Sequence, residues 1–215
     1  MYDFVKRLID IFVALTGLIV LFPILILVAF LIRLDSKGPV FYTPTRVGKF
    51  GKPFRMYKYR SMVMTMIGKE TAHAEEILKK NPSLLREYKE NSYKLKNDPR
   101  VTTIGRFIRK YSVDEFPQLL NVLKGEMSIV GPRAYMPDEL LEQQDAYPES
   151  KEYVATLLNT KPGLTGPWQV GGRSNINFDQ RVRMDAEYAL RRSFFYDIKI
   201  ILRTVPAVIK ADGAT

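Results

Sequence analysis

The sequence predicts an α+β fold that is mostly helical. It combines an N-terminal re-entrant membrane helix-break-helix, a small β-hairpin element, and amphipathic interfacial helices around a cytoplasmic core. Three observations carry that expectation. Leu8 to Ile32 is an almost uninterrupted apolar run holding one acid, Asp10, and one proline, Pro23. Downstream, apolar residues recur at helical spacing within charged segments, and short extended pieces between residues 40 and 60 are parted by Gly and Pro turns. At 215 residues the chain is long enough for one substantial core in addition to an anchor.

A straight helix over Leu8 to Ile32 would reach ~37 Å at ~1.5 Å per residue, against a hydrocarbon layer of ~30 Å. The run is too long for a cleaved signal peptide, and no small-residue cleavage motif follows it. Lys6 and Arg7 precede it and Arg33 and Lys37 follow it, so the positive-inside tendency puts both ends on the cytoplasmic side. Pro23 removes a backbone hydrogen bond and crowds the preceding turn, so the expectation is a break there that returns the chain to the leaflet it left. An ordinary kinked transmembrane helix is the alternative. Residues 1–36 are then the anchor and 37–215 a cytoplasmic-face domain.

Asp35-Ser36-Lys37-Gly38-Pro39 is a turn-rich exit from the anchor. Val40 to Tyr42 and Arg46 to Phe50 read as short extended pieces, with Gly51-Lys52-Pro53 as a turn. Alternation over Phe54 to Arg60 puts Phe54, Met56, Lys58 and Arg60 on one face. Lys58 and Arg60 there either bind phosphate or form a solvated edge. Ile67 to Asn97, rich in Lys, Glu and Asn and interrupted at Pro82, reads as two surface helices or a mobile excursion. Asn97-Asp98-Pro99 restarts order, and Val101, Ile104, Phe107 and Ile108 form an apolar face leading to Ser112.

Phe116, Leu119, Leu120 and Leu123 recur at helical spacing and predict a helix from near Asp114 to Lys124-Gly125, with Pro117 in its first turn. Asp114 and Glu115 would sit at the electropositive end of that helix, which favours ionised carboxylates and attracts phosphate. The plain alternative is that Asp114, or Ser112 with Glu115, only caps the helix. Capping requires no arginine, yet Arg106, Arg109 and Lys110 precede the acids and Gly131-Pro132-Arg133 follows them. Carboxylates beside several arginines suit phosphoryl chemistry: an Asp attacks phosphorus or holds a divalent metal, and guanidinium groups take up the charge.

Pro137 begins a helix with Asp138 and Glu139 in its first turn. Lys161 to Ser174 is too glycine-rich for a regular element and reads as a loop carrying Trp168 and Arg173. Phe178 to Arg192 is a charged helix. Ser193 then caps a last helix whose stripe of Phe195, Ile198, Ile201, Leu202 and Val205 faces either the core or a membrane interface. The chain has no cysteine, which excludes disulfides, thiolate metal sites and cysteine nucleophiles, and its one histidine, His73, excludes His-based triads and multi-histidine zinc sites. Thirty-three Lys and Arg against 23 Asp and Glu give a net charge of +10, which calls for an anionic partner: nucleic acid, acidic lipid or a phosphorylated substrate.

Five blocks in order resemble one family closely, over nearly the whole chain. They are the basic-flanked hydrophobic segment, Lys58-Tyr59-Arg60-Ser61-Met62, Arg109 with Asp114-Glu115-x-Pro117-Gln118-Leu119, Val130-Gly131-Pro132-Arg133, and Gly163-Leu164-Thr165-Gly166 through Trp168-Gln169-Val170-x-Gly172-Arg173. The family is the bacterial sugar transferases, the monotopic polyprenyl-phosphate phosphoglycosyl transferases, and this chain resembles their short catalytic form. The resemblance implies transfer of a sugar-1-phosphate from a UDP-sugar to undecaprenyl phosphate, with Mg²⁺ and release of UMP, as the first membrane step of exopolysaccharide, capsule or O-antigen synthesis. On matching positions, Asp114 is the nucleophile beside the metal and Glu115 assists. Lys58, Arg109, Arg133 and Arg173 would hold phosphates or nucleotide, with Arg60, on the same predicted face as Lys58, a further candidate, and Pro23 is the expected membrane break. The implied location is the cytoplasmic face of a bacterial inner membrane. The implied partners are membrane lipids, a homodimer and downstream glycosyltransferases, and no nucleic acid. The Pro167-Trp168-Gln169-Val170 form of the late loop is similar to that of members using UDP-galactose or UDP-glucose. Thr43-Pro44-Thr45 and Ala134 depart from the family's common pattern, which bears on local loop shape.

Overall fold

A computed structural model of the chain describes residues 2–67, 70–73, 81–90, 95, 98–172 and 176–209. Its first element is a single helix, α1 (Tyr2–Asp35). Lys6, Asp10, Ala14, Val28 and Ile32 are buried along one face, with Gly17 against Leu119 between them. The other face is bare: Phe4, Phe12, Ile19, Phe22 and Phe30 are all more than half exposed. An apolar helix buried on one stripe only has a nonaqueous neighbour on the rest. Among the described residues it is the one helix long and apolar enough to cross a membrane.

The expected break at Pro23 is corrected: the backbone stays helical through it. A proline removes one hydrogen bond, and packing on both sides holds the helix together. Leu119 packs against Gly17, and the Tyr59 hydroxyl donates to the Leu25 carbonyl at 2.7 Å. Both ends of α1 are bonded to the rest of the chain. At the start, Lys6 meets Asp197 at 2.6 Å and Arg7 donates to the Val122 and Leu123 carbonyls at 2.5 and 2.8 Å. Asp10, the lone acid of the apolar run, accepts from the Ser128 hydroxyl at 3.1 Å and the Ile129 N–H at 3.0 Å. At the far end Asp35 accepts from the Ile104 N–H at 2.9 Å.

Among the described residues the strands form four short pairs. β1 (Phe41–Tyr42) pairs antiparallel with β4 (Lys58–Tyr59), and β2 (Thr45–Val47) with β3 (Pro53–Arg55). Phe54 to Arg60 is therefore two strands where alternation predicted one. The physical reason is Asn121, fully buried, which accepts from the Tyr57 N–H and donates to the Arg55 carbonyl, replacing ladder bonds at the bend. Where the sequence suggested two surface helices or an excursion from Ile67, the described residues form the strand β6 (Glu70–His73), paired with β5 (Met64–Ile67) that leads into the segment, and one helix, α2 (Pro82–Glu90).

Helix α3 (Thr103–Lys110) is capped by the Thr102 side chain. A 3-10 turn (Val113–Gln118) leads into α4 (Leu119–Lys124), which ends on Gly125 at φ 80°, a value glycine adopts without strain. β7 (Ser128–Val130) follows, then α5 (Pro137–Ala146) and α6 (Ser150–Leu157). The segment expected to be a loop instead contains β8 (Gly163–Thr165), parallel to β7, and the one-turn helix α7 (Pro167–Val170). Its glycines permit close approach rather than disorder: a Cβ on Gly163 would lie 2.7 Å from the Gly131 Cα.

Helices α8 (Phe178–Arg191) and α9 (Phe194–Ile209) close the chain. α8 packs on α6 around Leu157, Phe178 and Val182. A second core joins Ala14 of α1 to Met56, Val122 and Met127. The predicted apolar stripe of α9 points outward, with Phe195 at 87 % and Leu202 at 68 % exposed. Of the two readings offered by the sequence, the interfacial one fits and the core-facing one does not. Ile200 and Asp197 on the opposite side are the buried positions.

Candidate active site

The two acids sit on the 3-10 turn, whose geometry starts at Ser112. That residue adopts φ 55° and ψ 23°, a left-handed conformation that ends α3 and redirects the chain. Its side chain makes no cap bond, so the capping-box alternative does not apply. α4 begins only at Leu119, so Asp114 and Glu115 are not in the first turn of an α-helix and the helix-dipole argument is corrected. Burial and a cation do that work. Asp114 is 7 % exposed.

Lys58, held on β4 opposite Tyr42, reaches both acids, at 3.2 Å from Asp114 Oδ2 and 3.1 Å from Glu115 Oε1. Burial pushes the Asp114 carboxyl above the usual carboxylate range. Lys58 pulls it back, Glu115 raises it again and Arg109 lowers it. Burial alone would depress the Lys58 ammonium, but Asp114 and Glu115 overcome that and raise it. The result is a shielded carboxyl whose affinity for its proton is raised by burial and moderated by a fixed ammonium.

Beside Lys58 and Glu115 is an opening of about 60 Å³, lined also by Arg46, Gln118, Arg133 and Trp168. Several waters, or one phosphoryl group, fill such a volume. The Arg133 guanidinium lies 5.2 Å from the centre of the Trp168 ring, a cation–π contact that fixes its plane. Nε and Nη1 of Arg46 and Nε of Arg133 are buried without hydrogen-bond partners among the described residues. Burial, and then the charge of Arg133, bring the Arg46 guanidinium down to about 10. Two guanidinium groups pressed together with donors unfilled are stabilised by an anion between them.

Behind the opening, Asp185 of α8 is fully buried and accepts from the Arg133 backbone N–H at 2.9 Å and the Tyr135 hydroxyl at 3.0 Å. Burial pushes its carboxyl up to about 7 against those bonds. A raised carboxyl contributes stability in full below its unfolded value of ~3.9 and loses it as pH rises through the folded value. Asp185→Asn is therefore expected to gain stability relative to the parent between about pH 4 and 7, by a few kcal/mol at most, and no further above that. Thermal unfolding of both proteins at pH 5 and 8 measures this, and a difference independent of pH would contradict it.

The structure brings Asp114, Glu115, Lys58 and Arg133 together, with Arg109 at the end of α3 close enough to act on Asp114. Arg173 lies outside the described residues. Arg60 is corrected. It is 1 % exposed, and its guanidinium donates to the Ile32, Ser36 and Lys37 carbonyls, closing the C-terminal end of α1. The bend at Tyr57 and the end of β4 turn it away from Lys58. Arg60→Gln is expected to lower stability by about 3 kcal/mol, since charge-assisted bonds to helix-end carbonyls are lost. The check is a thermal midpoint, with anion affinity unchanged in the folded fraction.

Arg46 and Asp185 were not singled out by the sequence. Arg46 stood in a short extended piece with no chemical signature, and Asp185 was one acid among many on a charged helix. For a divalent ion, no group of three Asp, Glu or His side chains occurs among the described residues. Asp114 and Glu115 nevertheless fit Mg²⁺, which binds through one or two carboxylates together with substrate phosphates and waters.

Similarity to known proteins is extensive. The undecaprenyl-phosphate galactose phosphotransferase of Salmonella typhimurium is 43 % identical over 214 residues, covering 98 % of this chain and 42 % of that protein. The exopolysaccharide production protein ExoY of Rhizobium meliloti is 38 % identical, covering 97 % of this chain and 87 % of its own length. The UDP-glucose:undecaprenyl-phosphate glucose-1-phosphate transferase of Caulobacter vibrioides is 36 % identical, covering 99 % and 72 %. The chain thus spans less than half the length of the Salmonella relative. A model of one family, described as bacterial sugar transferase, matches residues 1–211. With the match running from the apolar helix through both acids to the last helix, the chain belongs to the bacterial sugar transferase family.

Proposed function

We propose that the chain transfers a sugar-1-phosphate from a UDP-sugar, UDP-galactose or UDP-glucose, to undecaprenyl phosphate, as an early membrane step of polysaccharide synthesis. The reading rests most on one observation: a buried carboxylate, Asp114, paired with Lys58 next to two arginines whose donors lack partners among the described residues. Names of relatives that refer to galactose and glucose support the choice of sugar.

In the first half-reaction an Asp114 oxygen attacks the β-phosphorus of the UDP-sugar. A bond forms between carboxylate oxygen and phosphorus, the bond to the bridging oxygen breaks, and UMP leaves with that electron pair. Arg46 and Arg133 take up the equatorial charge, with Trp168 keeping the Arg133 guanidinium in its plane. Lys58 orients the carboxylate and favours its ionised form against the effect of burial. In the second half-reaction a phosphate oxygen of undecaprenyl phosphate attacks the same phosphorus and releases Asp114, with Glu115 accepting any proton that the acceptor phosphate carries. Mg²⁺ held by Asp114 and Glu115 would supply further neutralisation of the diphosphate.

A lipid acceptor accounts for the bare faces of α1 and α9. The two ends of α1 are bonded to one folded body, which supports a monotopic course with both ends at the cytoplasmic face. The competing reading is a membrane-tethered basic binding or scaffold protein without catalysis. Incubation of purified protein with a panel of UDP-sugars and Mg²⁺ separates the two. The expected result is UMP release with one sugar nucleotide and an intact-mass gain of one phosphosugar. Absence of both across the panel, with undecaprenyl phosphate supplied, would rule the transferase out.

A further inference from the structure

A second basic cavity, of about 360 Å³, lies at the N-terminal end of α1 and shares no lining residue with the opening beside Asp114. Lys6, Arg7, Lys49, Lys161 and Arg192 are its cations, and Asp3 and Asp10 its acids. Two of these cations are paired, Lys6 with Asp197 and Arg192 with Asp3 at 2.8 Å. Asp10 accepts only from neutral groups of β7, so it leaves one negative charge in the lining. Arg7 donates to neutral carbonyls, so its charge is uncompensated. Lys49 and Lys161 make no ion pair among the described residues. Arg7 and Lys161 flank one glycine: a Cβ on Gly125 would lie 3.4 Å from Arg7 Nη2 and 3.5 Å from Lys161 Nζ. Burial first, and then Arg7, with Lys49 adding to it against Asp10, press the Lys161 ammonium below its usual range.

The cavity opens onto the bare side of the anchor. Phe4 lines it, and Leu8 and Phe12 continue the same helical row outward, each at least half exposed. We propose that this cavity binds the headgroup of an anionic diacyl phospholipid of the phosphatidylglycerol class, with Arg7, Lys49 and Lys161 on its phosphodiester and its acyl chains along Phe4, Leu8 and Phe12. Arg7, Lys49 and Lys161 against the single unpaired acid Asp10 leave the space net positive, which an anion stabilises, and the adjoining apolar row selects one that carries hydrocarbon. The space exceeds what free phosphate fills and suits a phosphate with its glycerol. The site sets the depth at which the catalytic face meets the bilayer. It depends on membrane association but not on the Asp114 chemistry.

The test is native mass spectrometry of the detergent-solubilised full chain, titrated with phosphatidylglycerol, phosphatidylcholine or inorganic phosphate. A one-to-one phosphatidylglycerol adduct is expected, with phosphatidylcholine not retained and phosphatidylglycerol not displaced by millimolar phosphate. Lys49→Gln combined with Lys161→Gln is expected to weaken that adduct about 30-fold. Asp114→Asn is expected to leave it intact, which keeps this result separate from the transferase reading. Equal retention of the two lipids, displacement by inorganic phosphate, or parental affinity in the double variant would each overturn the site. The first two comparisons use the parent protein alone, so a poorly folded variant would not leave the matter open.

Discussion

With Asn at position 114, sugar-phosphate transfer is expected to fall by at least about 10⁴-fold and the phosphosugar adduct to disappear, because an amide oxygen is a poor nucleophile toward phosphorus. Stability is expected to hold or improve. The raised Asp114 carboxyl means that its ionised form disfavours folding once pH is above the unfolded value, so removing the charge relieves the fold at pH 7 to 8. Lys58 keeps Glu115 as a partner at 3.1 Å, so no buried ammonium is stranded. In the parent, the acid limb of turnover is expected above the ~4 of an ordinary carboxylate, since Asp114 must lose its proton before it can attack. A binding or scaffold protein would behave oppositely: Asp114→Asn would leave anion affinity equal or greater. UMP release at the parental rate from the Asn variant would dismiss the mechanism.

The largest effect on folding is expected from Gly163→Ala, a loss of about 4 kcal/mol or more. A Cβ there would overlap the Gly131 backbone N and the Thr165 carbonyl, with the Gly131 Cα at 2.7 Å. All three belong to backbone, so no side chain can swing aside. The pair β7–β8 would have to separate, and with it the support of Arg133 and Trp168 on either side of the site. Gly51→Ala is the control. Gly51 has φ 73° but open space around its Cβ direction, so that variant meets backbone strain alone, about 1 kcal/mol. Soluble yield and thermal midpoint in detergent distinguish them; equal behaviour of the two variants would contradict the close-approach argument.

Much of the site was legible. Asp114, Glu115, Lys58 and Arg133 stood out because acids and cations crowd short segments, and a charge cluster is local information. Arg60 misled because alternation assumes one straight strand, whereas Asn121, 61 residues away from it in sequence, bends the chain between Arg55 and Tyr57. Arg46 was missed for the mirror-image reason. Its isolation in a short extended piece is undone only when β2 pairs with β3 and Val47 bonds to Tyr135 at 2.9 Å, bringing it beside Arg133. Glycine content between Lys161 and Ser174 suggested an irregular loop, yet the same glycines allow two backbones to touch.

The sequence by itself determined the apolar anchor, a helix beginning at Pro137 and another from Phe178, the excess of positive charge, and the gathering of two acids among several cations. These follow from periodicity and composition, which act between residues close together along the chain. Tertiary structure alone decided which face of α9 is bare, that α1 remains helical through Pro23, that Arg60 closes a helix while Arg46 lines the site, and that Asp114 is buried against Lys58. Each of those outcomes depends on desolvation and contact between segments tens to more than a hundred residues apart, and no local pattern encodes which partner arrives.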